Sequence, residues 1–184
     1  MIAGADATPA VEARDLVKRY GDFVAVDDLT FDVARGEIFG LLGPNGAGKT
    51  STIRMLLGLL APTGGRMAVL GADDVRSVLH AIGYLPEERG LYKDVRVDDC
   101  LVYLAGLKGV PAAEARRRIA MGLEALELPG IERRVIKTLS RGQQQKVQFL
   151  ATVVHRPALL IVDEPFSGLD PVNTRVLSAF LRGL

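Results

Sequence analysis

Residues 43–50 read Gly-Pro-Asn-Gly-Ala-Gly-Lys-Thr, the pattern G-x-x-x-x-G-K-[ST]. Each part of that spacing serves phosphate. The glycines let the backbone wrap closely enough for several N–H groups to point at one anion. A helix that starts at the end of the pattern adds the positive end of its dipole. Lys49 can then reach the β- and γ-phosphates of a nucleoside triphosphate, and the Thr50 hydroxyl can ligate Mg2+. Gly43, Pro44, Asn45, Gly46, Ala47, Gly48, Lys49, Thr50 and the next residue, Ser51, are therefore the candidate nucleotide-binding residues. Far downstream, Leu159-Leu160-Ile161-Val162 runs into Asp163-Glu164. Asp163 would help hold the magnesium ion, and Glu164 would orient or deprotonate an attacking water. Strands often end in acids at a turn, so this pair carries weight because the phosphate loop stands in the same chain.

These groups need elements to position them. Leu29, Phe31 and Val33 alternate with Thr30 and Asp32, the period of a half-buried strand. Ile38 to Leu42 is a short apolar run before the glycines, which suits a buried parallel strand. Ile53, Leu56, Leu57 and Leu60 then repeat at helical spacing. Further buried strands are expected near Ile82 to Leu85 and at Leu159 to Val162. Between them Val97, Cys100, Leu101, Leu104 and Ala105, and after Gly109-Val110-Pro111 also Ile119, Leu123 and Leu126, follow a helical period. Residues 92–140 thus read as a mostly helical insertion. Arg141 to Val154 reads as an amphipathic helix with Val147, Leu150, Ala151 and Val154 inward. Asp170-Pro171 is an N-cap followed by proline at the first helical position. The helix it opens would turn Val172, Val176, Ala179 and Phe180 inward. Alternating strands and helices predict an α/β fold in three layers.

The bulk numbers set limits on function. The 184 residues make one domain's worth of chain, 48% hydrophobic and 24% charged, with a net charge of +1. No global field favours nucleic acid or an anionic membrane. The single cysteine, Cys100, excludes an internal disulfide framework and is compatible with a reducing cytosol. Met1 to Pro9 lacks the charged and apolar regions of a signal peptide and is expected to fray as a disordered terminus. The apolar runs are too short to span a bilayer, so work at a membrane would need a spanning partner. Arg116-Arg117-Arg118 is expected to be the solvated face of a helix.

Leu139-Ser140-Arg141-Gly142-Gln143-Gln144-Gln145 resembles the signature motif of the ATP-binding-cassette (ABC) ATPases, commonly Leu-Ser-x-Gly-Gln. Its distances along the chain from Lys49 and Asp163 suit that family. After Glu164 come Pro165 and Ser167-Gly168-Leu169-Asp170, similar to the family's D-loop. Tyr20, in Lys18-Arg19-Tyr20-Gly21, lies where the family places an aromatic ring against adenine. The resemblance covers residues from about 10 to 184. It implies a P-loop NTPase core with a helical subdomain at about 92–140 and an N-terminal β subdomain. It also implies Mg·ATP as ligand, ATP hydrolysis, and a head-to-tail homodimer, or heterodimer with another cassette. There Ser140, Gly142 and Gln143 would grip the ATP of the opposite subunit. The physics fits: a hydroxyl and free N–H groups at a helix start suit an anion. Ser140 with Gln143 could equally form a simple capping box, and the two readings are compatible. A transmembrane permease partner, no nucleic-acid partner, and a place on the cytoplasmic face of the cell membrane are further implications.

Two departures stand out. In Gly83-Tyr84-Leu85-Pro86-Glu87-Glu88-Arg89-Gly90, Glu87 stands where the family usually has glutamine. A carboxylate there could contact Mg2+ or its water. This version resembles cassettes that serve export-type bacterial transporters, including sodium and drug or antibiotic efflux systems. The other departure is a family histidine beyond the acidic pair that touches the γ-phosphate. Leu184 ends the chain before that point, and His80 and His155 are placed wrongly to replace it. The chain therefore reads as a C-terminally truncated cassette, with weakened hydrolysis and an exposed apolar sheet edge. The rival readings are a cassette ATPase in a non-transport role and an ATP-gated switch with little turnover.

Overall fold

The structure, a computed structural model, describes residues 8–87, 90–166 and 168–183. The expected frayed terminus lies almost wholly outside these residues, as do Glu88, Arg89, Ser167 and Leu184. The chain divides into two compact units, residues 1–79 and 80–184.

The first unit is built on an antiparallel sheet. Strands β1 (Val11–Tyr20) and β2 (Phe23–Val33) form a hairpin, joined through Gly21 at φ 57°, and β3 (Gly64–Val69) pairs with the other edge of β1. Asp15 and Asp28 take left-handed φ angles of 50° and 47° where the β1–β2 register slips. Each such break adds twist and bends its strand. The alternation of Leu29, Phe31 and Val33 appears as expected, with the intervening Thr30 and Asp32 exposed. Ala13, Leu16, Val26 and Met55 are the buried centre, so helix α1 (Lys49–Leu56) packs on the sheet through Met55. α1 is shorter than the hydrophobic spacing predicts. It stops at Leu57, and Gly58 at φ 65° turns the chain before Leu60.

Ile38 to Leu42 is not the buried strand that its composition predicts. The segment pairs with no strand among the described residues, and Ile38 and Leu42 are 93% and 91% exposed. Phe39 stacks on Phe31 with ring centroids 5.2 Å apart. A strand exists through ladder bonds to a neighbour, and neither edge strand of the antiparallel sheet, β2 or β3, pairs with this segment.

The second unit holds β4 (Ile82–Leu85) and β5 (Leu159–Val162), paired in parallel from Ile82↔Leu159 to Leu85↔Val162. Helices α2 (Val97–Leu107), α3 (Ala112–Ala125), α4 (Arg141–Val153) and α5 (Pro171–Arg182) enclose one apolar cluster. The predicted inward residues of α2, α3 and α4 all join it. Gly122 lets α3 approach α4, since a side chain there would collide with Leu150. α5 differs from expectation. Leu177, Phe180 and Leu181 pack inward while Val172 is 66% exposed and Ala179 is exposed. The cluster reaches only the middle and end of the helix, so Pro171 and Val172 at its start stay in solvent. Arg116 and Arg117 are exposed as expected, but half-buried Arg118 donates to Glu114 and to the Val154 carbonyl at 3.1 Å. Among the described residues no helix is long and apolar enough to cross a membrane.

Candidate nucleotide-binding site

The phosphate loop belongs to the first unit. Gly46 and Gly48 both have φ 83°, a conformation open to glycine at little cost. Gly48 is also needed for space, because a Cβ there would strike the Ala25 carbonyl oxygen on β2. The loop is thus pressed against the sheet at its last residue, where α1 begins. No side chain caps α1, leaving its first-turn N–H groups for an anion. The Lys49 ammonium folds back and donates to the Gly43 and Pro44 carbonyls at 2.7 and 2.8 Å. This holds the positive charge over the loop, and the chemistry of the donor set suits a polyphosphate. Thr50 and Ser51 follow on the first turn.

Tyr20, at the hairpin end, is 46% exposed, and its hydroxyl lies 3.4 Å from the Ser51 hydroxyl. The structure therefore brings the aromatic ring to the phosphate-loop helix. The Lys18 ammonium sits 5.3 Å from the Tyr20 ring centroid and donates to the Ala61 carbonyl at 2.7 Å.

The acidic residues belong to the second unit. The Asp163 N–H donates to the Leu85 carbonyl at 2.9 Å, extending the parallel pairing one residue past β5. Glu87, two residues past Leu85, therefore leaves the same carboxyl end of the sheet as Asp163 and Glu164. Parallel sheets bind ligands at this end. Glu164 is exposed and takes φ 48°, a left-handed angle that costs a non-glycine residue on the order of 1–3 kcal/mol and is concentrated at functional sites. A cavity of about 570 Å³ in this unit, lined by Gly122, Pro157, Leu160 and Phe180 among others, lies at the opposite, amino end of β5.

Ser140 caps α4 through the full box: its hydroxyl accepts from the Gln143 N–H at 3.2 Å, and the Gln143 side chain accepts from the Ser140 N–H at 3.0 Å. Asp170 caps α5, accepting from the Val172 and Asn173 N–H groups at 2.9 Å. The Asn173 backbone N–H, and then its side-chain amide, hold the Asp170 carboxyl below the usual carboxylate range.

Sequence reasoning missed two ties between these segments. Buried Gln145 donates from Nε2 to the Pro165 carbonyl at 3.2 Å, and Gly142 packs on the Asn173 side chain. Gln145 could have been found, since it lies one turn before Phe149 on a helix face that continues into the core. Asn173 could not, because its contact joins two helices. His80 is exposed, and His155 is half-buried after α4 with neither ring nitrogen hydrogen-bonded.

A family model described as ABC transporter matches residues 26–167. The uncharacterized ABC transporter ATP-binding protein YhaQ of Bacillus subtilis (strain 168) is 50% identical over 162 residues, covering 88% of this chain and 54% of the relative. The uncharacterized ABC transporter ATP-binding protein MJ1023 of Methanocaldococcus jannaschii is 46% identical, covering 92% and 61%. The chain thus spans little more than half the length of these relatives. A solved structure titled as the ATP binding subunit of an ABC transporter superposes with a TM-score of 0.84 at 32% identity, covering 95% of this chain and 74% of that one. The α/β fold of P-loop NTPases expected from the motifs is therefore the fold of its structural neighbours.

Proposed function

Because the chain belongs to the ABC transporter ATP-binding family, we propose that it binds Mg·ATP and hydrolyses it to drive a membrane transporter. The observation that carries this reading is the cradle of Gly43 to Gly48, closed over by Lys49 and backed against Ala25. Gly43 to Ser51 receive the phosphates, and Tyr20 offers its exposed ring to the base. On binding, Lys49 exchanges two neutral carbonyls for phosphate oxygens, a stronger charge-assisted contact. Glu164 orients the attacking water and accepts its proton, while the loop N–H groups and Lys49 stabilise charge developing on the phosphates. Mg2+, when bound, would neutralise phosphate charge; Thr50, Asp163 and Glu87 are the residues offered to it. Among the described residues no three His, Cys, Asp or Glu side chains cluster as a metal cage.

Ser140, Gly142 and Gln143 present a capped helix start to the ATP of a second cassette, and Asp170 lies in the connecting loop. The dimer is head-to-tail, and motion passes through the helical insertion at 92–140 to a transmembrane permease subunit. These assignments follow the family's arrangement within one cassette domain. They place the chain on the cytoplasmic face of the membrane, where it works without nucleic acid. Glu87 favours export as the direction of transport.

The test is Mg·ATP binding and turnover for the chain, for Lys49→Ala and for Glu164→Gln. Binding that survives Glu164→Gln but not Lys49→Ala, with turnover abolished by both, supports the reading. A chain that binds no ATP sinks it. Tight binding with no turnover in the unmutated chain would favour the ATP-gated switch.

A further inference from the structure

We propose that Lys18 is a positioning residue for base recognition: its ammonium covers one face of the Tyr20 ring and leaves the other face for the base. Residues two apart on a strand point to the same side of the sheet, so β1 sets Lys18 and Tyr20 side by side. The ammonium stands over the ring, 5.3 Å from its centroid, close enough for a cation to be drawn to an aromatic face. A lysine side chain on a surface is ordinarily free to leave such a place. This one is anchored, because Nζ donates to the Ala61 carbonyl at 2.7 Å. The anchor is held in turn. Thr63, two residues on, donates from its N–H to the Val17 carbonyl at 2.8 Å, and its Oγ1 accepts from the Arg19 N–H at 3.0 Å. The turn before β3 is thus bonded to β1 on both sides of Lys18. The far edge of the ring is restrained as well, by the 3.4 Å contact between the Tyr20 hydroxyl and Ser51.

The consequence rests on the function proposed above, in which the exposed ring of Tyr20 meets the base of the nucleotide. A ring tethered by its hydroxyl beside α1 and covered by an ammonium has one open face. Stacked aromatic rings present negative faces to each other, which repel when aligned. A cation on the far side draws π density away and lessens that repulsion. Lys18 therefore fixes the ring and improves it as a stacking partner, without touching the base. The competing role for Lys18 is that of Lys49, a positive charge for the phosphates. The two roles separate cleanly, because a polyphosphate without a base feels the charge and ignores the ring.

Calorimetric titration at about 0.15 M salt, where distant charges are screened, makes that separation. The ligands are Mg·ATP and Mg·tripolyphosphate. Lys18→Met should weaken Mg·ATP about two- to fivefold and leave tripolyphosphate unchanged, which also shows that the phosphate loop is still folded. Lys18→Arg should restore most of the loss, since a guanidinium also lies on an aromatic face and donates to a carbonyl. In a Tyr20→Ala background Lys18→Met should have no further effect on Mg·ATP. An equal loss for tripolyphosphate, or an undiminished loss without the Tyr20 ring, overturns the proposal. So does a Lys18→Met chain that binds Mg·ATP as tightly as the unmutated one. Failure of the functional reading looks different: the unmutated chain then binds no Mg·ATP at all.

Discussion

Ile38 to Leu42 and Leu159 to Val162 are nearly interchangeable as sequence. Both are short apolar runs, and each leads directly into residues of the candidate site, the glycine loop in one case and Asp163-Glu164 in the other. In the structure they part company. Leu159 to Val162 pairs residue for residue with β4, and Leu160 and Val162 pack on the cluster under α4. Ile38 and Leu42 stand in solvent. The difference shows that an apolar run is only an offer of a strand; a partner with free ladder groups has to accept it. It also shows that the two halves of the chemistry are secured differently. The phosphate loop is held by close backbone approach to β2 and by its own lysine. The acidic end is held by a packed core behind it.

Substitutions can break or sharpen that contrast. Phe149 is fully buried in α4 and meets Phe180 edge to face at 5.7 Å. Phe149→Ala should cost about 3–5 kcal/mol in urea unfolding and loosen β4 and β5, whose residues share its cluster. Gly48→Ala should act on the other half. The collision with the Ala25 carbonyl and the left-handed φ should cost on the order of 1–3 kcal/mol and abolish ATP binding measured by titration. If Gly48→Ala leaves binding intact, the loop is not held by its approach to β2. Ser140→Ala should lower stability by about 1 kcal/mol through loss of the α4 cap, read from the thermal midpoint.

A smaller effect concerns pH. Burial first, then the positive charges of Lys108 and Arg118, push the His155 imidazole below its ordinary range. Glu114 is already committed to Arg117 and Arg118. The unfolded chain therefore takes up a proton at about pH 6.5 that the folded chain still refuses. Stability should fall as pH drops below about 6.5 and level off once folded His155 also titrates. His155→Leu should flatten that slope in urea midpoints measured between pH 8 and 5. The smallest effect belongs to the unpaired run: Ile38→Thr in this chain should change stability by less than about 0.5 kcal/mol. A larger loss would mean that residues 38–42 are held by packing after all.

Much of the site was legible because its motifs are local. The glycines at φ 83°, the uncapped start of α1, the Ser140 box and the Asp170 cap each follow from residues within a turn of one another. Local geometry is fixed by backbone sterics and short-range hydrogen bonds, which sequence spacing reports directly. Helical periodicity likewise found the inward faces of α2, α3 and α4, since a face must be apolar to be buried. For α5 it found Phe180 but not the outward Val172 and Ala179, because burial there depends on how far the neighbouring cluster extends. Tertiary structure alone decided which apolar run became a strand. It also brought Asn173 to Gly142, Gln145 to Pro165 and the Tyr20 hydroxyl to Ser51. Each of those contacts joins residues far apart in the chain or on different elements, and their free energy appears only when packing has brought the two sides together.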